Sequence, residues 1–330
     1  MRVTVLGAGS WGTTVAVLAS RKNKTVLWAR HPEVAEEIRN NHTNSTYLPG
    51  FTLPEQLAAT SDLEEAATAA ELLLVGVPSH GFRDVVCRAR PYIHPWIPVV
   101  SLAKGLEAGS LLRMTQVIKE LLSGHPAAAL TGPNLAKEIM SGQAAAGVIA
   151  TEDLSVAVAL QQVLRSGLFR LYVNHDVIGC EVGGALKNVI AIAAGMAQGL
   201  GVGDNTRAAV IARGLAELTR LGVAMGGEAA TFAGLTGMGD LVATCMSPLS
   251  RNRHVGEQLG MGRKLDDILA EMHTVAEGLN TARTVMELAG RYGIEMPICQ
   301  EVSRVVAGEI TGLDAYRGLQ IPPGHESDPG

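Results

Sequence analysis

One lysine stands inside a helix-length segment of small and apolar residues, 183–195. On a helix, the residues three and four positions from Lys187 are glycine, isoleucine and alanine, so no acid on its own face would neutralise its charge. Burial disfavours the charged form of an amine, and a neutral amine can accept the proton of an alcohol. The segment therefore predicts a general base. The alternative for this residue alone is a lysine whose ammonium extends to solvent.

A glycine-rich turn near the N-terminus predicts a dinucleotide site. Gly7, Gly9 and Gly12 follow a short β-rich run and open an Ala/Val/Leu segment, and a second β-rich run follows at the spacing of a βαβ unit. The pyrophosphate would lie at the N-terminus of the helix. The second run ends at Arg30 and His31, where an acid often binds the ribose of NAD, and a cation there can accept the 2′-phosphate of NADP. We therefore predict that NADPH is used at least as well as NADH.

Two further polar segments follow predicted strands. Lys104 comes directly after one β-rich run, and the turn at residues 131–136 comes after another. Ligands of an open α/β sheet bind beyond the carboxyl ends of its strands, so both segments are candidates for substrate binding. Asn134 in the turn could also cap the following helix, and Lys104 taken alone could be a solvated surface lysine.

The second half of the chain carries its own polar residues. Asp240 and Thr244 are four residues apart, which places them on one helical face and predicts that they line one pocket wall. Residues 250–253, Ser-Arg-Asn-Arg, form a compact group of donors, and arginine matches phosphate oxygens well. Taken alone, such an Arg-Asn-Arg sequence is usually a surface segment. Glu277 follows at the start of another predicted helix.

The hydrophobic pattern predicts the elements that must hold these residues. Short apolar β-rich runs, mostly separated by helical segments, indicate a sheet buried on both faces: 2–6, 25–28, 72–77, 98–102, 127–130, 145–150 and 169–173. After about Asn174, long Ala/Leu/Gly helical patterns replace them. We predict an α/β protein with three parts: a Rossmann-type doubly wound sheet at 1–176, an all-α substrate and catalytic domain at 177–320, and a disordered tail at 321–330.

Composition excludes several classes of function. The 330 residues, 47% of them hydrophobic, can form two cored domains, and a net charge of −5 argues against nucleic-acid binding. No apolar run reaches the roughly 20 residues of a membrane span, and no signal peptide is recognisable, so we expect a cytoplasmic protein without membrane insertion. The 4 cysteines and 9 histidines lack metal-ligand spacing, so no metal site is expected.

Together these motifs resemble those of the bacterial NAD(P)-dependent glycerol-3-phosphate dehydrogenases. The resemblance extends from residue 1 to about 320 and rests on these segments: 7–12, 77–80, 104–107, 183–195, 203–205, 249–253 and 277–278. It implies interconversion of dihydroxyacetone phosphate and sn-glycerol 3-phosphate by hydride transfer, with NADP(H) or NAD(H) as cofactor. It further implies supply of the glycerol backbone of phospholipids, and a homodimer.

The resemblance also implies a role for individual residues. Lys187 would be the proton acceptor. Substrate contacts would come from Lys104, Gly132, Asn134, Lys187, Asp240, Ser250, Arg251 and Asn252. Cofactor contacts would come from Ser10, Trp11, Arg30, His31, Lys104, Ala136, Arg251, Val275 and Glu277. Asn134 departs from the pattern, since bacterial relatives usually carry serine there, and this leaves the detail of that contact open.

Two other functions are compatible with parts of the pattern. A related β-hydroxyacid dehydrogenase would also combine a Rossmann domain with a helical domain that carries a Lys-Asn pair, but it would not need phosphate-binding residues near 250. A sensor that binds a dinucleotide without turnover would have little reason to keep the polar set around Lys187. Assays with the phosphorylated triose distinguish the three functions.

Overall fold

The chain forms two compact units in the computed structural model, which describes residues 1–272 and 276–319. The first unit contains Met1–Lys104 and Leu112–Val177, and the second contains Gly105–Leu111 and the chain from Ile178 onward. The sequence-based boundary at residue 176 assigned 105–111 to the first domain. The structure groups this segment with the second unit because Leu106 and Leu111 are buried in the core of its helices. The predicted tail at 321–330 lies outside the described residues.

An eight-stranded sheet forms the centre of the first unit. Its strands are β1 (Arg2–Leu6), β2 (Lys24–Trp28), β3 (Ala58–Thr60), β4 (Leu72–Val75), β5 (Val99–Ser101), β6 (Ala127–Thr131), β7 (Ala145–Ala150) and β8 (Phe169–Asn174). They lie in the order β3-β2-β1-β4-β5-β6-β7-β8. The first six are mutually parallel, whereas β7 is antiparallel to β6 and parallel to β8. This confirms the predicted Rossmann-type doubly wound sheet.

Helices cover both faces of this sheet, and two apolar clusters form where they pack on it. They are α1 (Ser10–Ser20), α2 (Pro32–Asn41), α3 (Leu63–Thr68), α4 (Ser79–Ala89), α5 (Met114–Leu121), α6 (Ala136–Met140) and α7 (Leu154–Leu164), with a short 3₁₀ turn at Arg90–Tyr92. The two clusters consist mainly of aliphatic side chains, and their buried aromatic members are Trp28, Phe82 and Phe169.

The two edges of the sheet differ from the sequence-based prediction. Strand β3 was not predicted, because three residues of Ala-Ala-Thr carry no strong β signal and owe their conformation to pairing with β2. Burial on both faces was predicted for every strand and is wrong for β8, where Arg170 and Tyr172 are exposed between buried neighbours. β8 is the edge strand beside β7, and the face that carries these two residues is open to solvent.

From Val177 onward, the described chain forms helices joined by turns and loops, as the sequence predicts. These helices are α8 (Val177–Gly199), α9 (Asp204–Ala224), α10 (Ala229–Ala233), α11 (Asp240–Met246), α12 (Arg251–Gly260), α13 (Leu265–Ala270), α14 (Glu277–Tyr292), α15 (Pro297–Val306) and α16 (Gly312–Gly318), with a π-helical turn at Leu235–Gly239. Among the described helices, α8 alone is long and apolar enough to cross a bilayer, yet 94% of that apolar window is buried. It is therefore the core helix of the second unit.

A buried acid secures α15 within the same core. Glu217 on α9 is 1% exposed and accepts the backbone N–H groups of Ile298 at 2.7 Å and Cys299 at 3.2 Å. Burial raises the pKa of the Glu217 carboxyl, and the two backbone donors partly offset this effect. The carboxyl satisfies N–H groups in the first turn of α15 that have no partner within the helix.

Glycines allow α8 and α12 to pack at very short range. A Cβ on Gly195 would lie 2.1 Å from the carbonyl oxygen of Arg253, and a Cβ on Gly256 would lie 2.0 Å from that of Ile192. Both distances are far inside van der Waals contact, so no larger residue fits without displacing a helix. The packing fixes α12, whose N-terminus carries predicted phosphate-binding residues, against the helix that contains Lys187.

Replacement of Gly195 or Gly256 by alanine should therefore destabilise the protein. The overpacking is expected to cost at least about 1–3 kcal/mol, because the clash is with backbone rather than with a flexible side chain. Thermal unfolding followed by circular dichroism measures the loss. Gly290→Ala on α14 is the matched control, since a Cβ there meets nothing within 4 Å, and it should gain roughly 0.5–1 kcal/mol. An unchanged melting temperature for Gly195→Ala would contradict the packing.

Candidate active site

The glycine-rich turn of the first unit has the geometry of a dinucleotide site. Gly7 has a φ of +116° and its Cβ would lie 2.8 Å from the carbonyl carbon of Gly76, so a side chain is excluded there. A Cβ on Gly12 would lie 2.0 Å from the carbonyl oxygen of Gly7, which shows how closely α1 packs against the turn. At Gly9 nothing lies within 4 Å of the same position. The open space beside Gly9, at the N-terminus of α1, fits a pyrophosphate.

The predicted cofactor residues around this turn have distinct surroundings. The Ser10 hydroxyl donates to the carbonyl oxygen of Tyr47 at 2.6 Å. The Trp11 ring meets Phe169 edge-on at 6.1 Å, and its indole N–H is buried without a hydrogen-bond partner among the described residues. Arg30 is exposed directly after β2 and forms no ion pair among them. A buried indole donor and a solvent-facing guanidinium are both groups that a bound nucleotide could satisfy.

His31 precedes α2 as its N-cap residue without a side-chain capping bond. Its ring nitrogen lies 3.7 Å from a carboxylate oxygen of Glu33, and both side chains are exposed. Ala136 is the first residue of α6. His31 offers its ring nitrogens for a contact, whereas Ala136 offers only its backbone groups and its methyl group.

The structure brings Lys104 and the 131–136 turn together. The Lys104 ammonium donates to the carbonyl oxygen of Gly132 at 2.6 Å, and Gly132 has a φ of +108° that favours glycine. The predicted capping role of Asn134 is wrong, because α6 begins at Ala136 with Leu135 as its N-cap residue. Instead, both polar atoms of the Asn134 amide are buried and have no hydrogen-bond partner among the described residues.

An unsatisfied buried amide costs on the order of 1–3 kcal/mol for each polar group, so Asn134 is a candidate for ligand binding. A polar ligand that supplied one donor and one acceptor at this place would recover that energy. The sequence gave no indication of the orphaned atoms, because they are visible only when the surroundings of the turn are known.

In the second unit, Lys187 is not unpaired. Its side chain is buried at the centre of α8, with 5% of the residue exposed, and its Nζ contacts a carboxylate oxygen of Asp240, which is 1% exposed. The ammonium also donates to the Thr244 hydroxyl at 2.6 Å. The neighbours of Lys187 on its own helix are apolar as predicted, but the expectation of a lysine without an acid was wrong because the acid comes from α11.

Asp240 and Thr244 lie on one face of α11, as their spacing predicted. The Thr244 hydroxyl donates to the Asp240 carbonyl oxygen at 2.6 Å, which fixes the hydroxyl so that its lone pair faces the lysine. The neighbouring Cys245 is also buried, and burial raises the pKa of its thiol to about 12. Cys245 therefore stays a neutral thiol near neutral pH.

In the 250–253 segment, two side chains make structural contacts and one is exposed. Ser250 caps α12, since its hydroxyl accepts the backbone N–H of Arg253 at 3.3 Å. The Arg253 guanidinium donates to the Ser247 carbonyl at 3.0 Å and pairs with Glu257 at 3.4 Å, so this arginine is structural. Arg251 is exposed at the first position of α12 and forms no ion pair among the described residues. The predicted phosphate contact is thus available from Arg251 and the helix N-terminus.

Asn252 is buried and tied to two other elements. Its amide nitrogen donates to the side-chain oxygen of Asn188 at 2.9 Å, and its amide oxygen accepts the backbone N–H of Gly278 at 3.0 Å. Asn188, next to Lys187 on α8, is a further candidate site residue that the sequence-based prediction did not include, although the adjacent Lys-Asn pair was a signal in the sequence. Glu277 is the first residue of α14, and predicted cofactor residue Val275 lies outside the described residues.

Comparison with known proteins decides the family. The chain matches the family described as NAD-dependent glycerol-3-phosphate dehydrogenase, over residues 2–157 for its N-terminus and 176–316 for its C-terminus. It is 58% identical to the NAD(P)+ glycerol-3-phosphate dehydrogenase 2 of Sphingopyxis alaskensis, with 100% of this chain and 99% of that protein covered. The chain belongs to the NAD-dependent glycerol-3-phosphate dehydrogenase family.

Further relatives agree with this membership. The NAD(P)+ glycerol-3-phosphate dehydrogenase 1 of Mycobacterium tuberculosis is 53% identical, with 98% of this chain and 96% of that protein covered. The crystal structure of glycerol-3-phosphate dehydrogenase from Coxiella burnetii superposes with a TM-score of 0.93 at 36% identity, covering 96% of this chain and 98% of the other. Membership confirms the predicted enzyme class and its NAD(P) cofactor, and it sets aside the β-hydroxyacid dehydrogenase and the sensor.

The buried ion pair between Lys187 and Asp240 yields a stability prediction. Asp240→Ala removes the carboxylate that pairs with Lys187 and is expected to cost about 3–5 kcal/mol, because a buried ammonium loses its counterion. The double variant Lys187→Met/Asp240→Leu replaces both charges with apolar groups and should lose less stability than Asp240→Ala alone. Urea-induced unfolding followed by circular dichroism compares them. Equal or greater loss in the double variant would show that the pair is not desolvated.

Proposed function

We propose that this chain interconverts dihydroxyacetone phosphate and sn-glycerol 3-phosphate, and that Lys187 exchanges the proton of the substrate hydroxyl. The observation that supports this role is the buried contact of Lys187 Nζ with Asp240 and Thr244. A general acid or base must be held in one position, and here one amine is held by two polar groups inside an apolar unit. The glycerol 3-phosphate formed would supply the backbone of phospholipids.

The ion pair indicates how the proton moves in each direction. During reduction of the ketone, the Lys187 ammonium donates a proton to the oxygen that becomes the hydroxyl at C2. During oxidation, the amine takes that proton back. Asp240 stabilises the ammonium form, and Thr244 orients it by accepting one of its N–H groups. A positive charge kept near the developing alkoxide would lower the barrier most in the transition state, where the negative charge is largest.

Within the second unit, we assign the substrate phosphate to the N-terminus of α12. Ser250, Arg251 and Asn252 lie in its first turn, where backbone N–H groups and the helix dipole favour an anion. The exposed Arg251 guanidinium can bind two phosphate oxygens, whereas Arg253 is already engaged with Ser247 and Glu257. Binding energy from the phosphate would position the reacting carbon C2, which is the middle carbon of the chain and is bonded to the carbon that carries the phosphate.

Within the first unit, we assign further substrate contacts to Lys104, Gly132 and Asn134. The Lys104 ammonium is held by the Gly132 carbonyl, and the two orphaned polar atoms of the Asn134 amide can be satisfied by a hydroxyl group, which both donates and accepts. Asparagine thus replaces the serine of many relatives with a group of longer reach. The contact differs in detail but keeps its hydrogen-bonding character.

Most of the cofactor assignment also concerns the first unit, and the contacts assigned to the second unit are Arg251, Val275 and Glu277. NADH or NADPH, when bound, supplies the hydride for C2 of the ketone. The glycine turn with Ser10 and Trp11 would bind the pyrophosphate region, and Arg30 with His31 would bind the 2′-phosphate of NADPH. The remaining assigned contacts are Lys104, Ala136, Arg251, Val275 and Glu277. Those of Val275 and Glu277 rest on the family resemblance.

The resemblance also supports proposals about assembly and location. We propose a homodimer that works in the cytoplasm, without membrane insertion and without nucleic acid as a partner. The net charge of −5 and the 94% burial of the apolar window of α8 are consistent with such a protein. Sedimentation equilibrium would measure the assembly state directly.

The activity can be tested by following nicotinamide absorbance after addition of dihydroxyacetone phosphate. We expect oxidation of both NADH and NADPH, with NADPH used at least as well, because a cation stands at the end of β2 where an acid would repel the 2′-phosphate. Steady-state kcat/KM with each cofactor gives the preference. A pure NADH preference would refute the assignment of Arg30, and no turnover with either cofactor would refute the substrate.

The role of Lys187 can be tested separately from binding. Lys187→Ala is expected to lower kcat by roughly 10²- to 10⁴-fold, as loss of a general acid–base does. Lys119→Ala is the matched control, because Lys119 is an exposed lysine paired with Glu152 and should change kcat little. Retained folding by circular dichroism and retained NADPH binding must accompany the loss. Near-normal kcat in a folded Lys187→Ala enzyme would refute the proton-transfer role.

A further inference from the structure

An open groove lies along β8 in the first unit, outside every residue assigned to cofactor or substrate. It has a volume of about 530 Å³ and runs from the C-terminal ends of α1 and α7 to the exposed face of the strand. Its lining combines cations, an aromatic ring and apolar surface: Lys22, Gln161, Arg165, Ser166, Gly167, Phe169, Arg170, Leu171 and Tyr172. A groove of this size can hold a small-molecule ligand.

Four cations converge on this groove. Lys22, Arg165 and Arg170 line it, and the guanidinium of Arg21 lies so near Gly167 that a Cβ there would be 2.9 Å from its nitrogen. Within residues 1–272 and 276–319, none of the four forms an ion pair with a carboxylate. The chain as a whole carries a net charge of −5, so this concentration of unneutralised positive charge is local and creates a site attractive to anions.

The helix ends beside the groove do not account for these cations. Basic residues often stabilise the carbonyl groups at helix C-termini. Here the Asn23 amide takes that role, since it donates to the carbonyl oxygens of Ala19 on α1 at 3.1 Å and of Val163 on α7 at 3.2 Å. Lys22 also donates to the carbonyl of Arg165 at 3.2 Å. The guanidinium groups of the three arginines make no such bond in the described part of the chain.

A hydroxyl group and an aromatic ring complete the lining of the groove. Ser166 lines the groove, and its hydroxyl forms no hydrogen bond within the described residues. A phosphate oxygen could accept its proton. Beside it, Tyr172 is 51% exposed, an unusual exposure for a large aromatic ring on a strand, and offers a face on which a planar group could stack.

We propose that this groove binds a small polyphosphate anion, either inorganic or attached to a nucleoside. The guanidinium groups of Arg165 and Arg170 bind the phosphate oxygens, Lys22 and Arg21 supply further positive charge, and the Ser166 hydroxyl donates to one phosphate oxygen. Where the anion carries a base, Tyr172 contacts it. Since Phe169 lines the groove and also meets Trp11 of the glycine turn, a ligand here lies next to a residue in contact with the cofactor-binding segment.

Isothermal titration of pyrophosphate and of ATP tests the proposal, with the full-length protein saturated with NADPH and glycerol 3-phosphate to fill the assigned sites. The double variant Arg165→Ala/Arg170→Ala should weaken binding of both probes by at least about tenfold, because each arginine supplies a charge-assisted contact. Both side chains are exposed, so the fold should be retained. Binding to the unmodified protein should also weaken as salt is raised.

The control is Arg39→Ala/Arg291→Ala, which removes the same charge from exposed positions outside the groove and should leave both affinities unchanged. Tighter binding of ATP than of pyrophosphate, lost in Tyr172→Ala, would identify a nucleotide, and equal affinities would identify the phosphates as the whole ligand. The proposal is overturned if neither probe binds, or if the control pair weakens binding as much as the groove pair does.

Discussion

A buried ion pair is the interaction on which the second unit depends. Lys187 and Asp240 are both almost inaccessible to water, and each would be very costly to bury without the other. The two charged groups can pair only if α8 and α11 pack at a fixed position and distance. Thr244 forms a second hydrogen bond with the Lys187 ammonium and so restricts its rotation. The pair therefore restricts the geometry of two helices and also delivers a chargeable nitrogen in a fixed position.

Close helix packing complements this electrostatic constraint. The glycines that let α8 and α12 approach place backbone against backbone, so the first turn of α12 cannot shift relative to α8 without losing that contact. Asn252 adds directional bonds from this turn to Asn188 and to the start of α14. The exposed Arg251 at the same turn remains adaptable, while its scaffold is rigid. This combination of a rigid scaffold and an adaptable side chain suits the phosphate site that we propose at this turn.

In the first unit, the informative feature is a small set of buried polar atoms without hydrogen-bond partners in the described part of the chain. Several buried polar side-chain atoms of this unit lack a hydrogen-bond partner among the described residues, and they include those of Trp11 at the glycine turn, Thr131 at the end of β6 and Asn134 in the following loop. Unsatisfied buried donors lower the stability of the protein alone, and a ligand that pairs with them recovers this energy on binding. These few atoms therefore say more about where a ligand binds than the surrounding apolar surface does.

The sequence by itself determined the Rossmann sheet, the helical second half, the glycine turn, the lysine of α8 and the family, because periodicity and spacing act over short stretches of chain. It did not reveal the acid beside Lys187, the short strand β3, the open face of β8 or the orphaned amide of Asn134. Each of these depends on a neighbour distant in sequence: Asp240 is 53 residues from Lys187. Only the tertiary structure decides which distant groups share a dry environment, and that environment sets whether a charge is paired, exposed or left for a ligand.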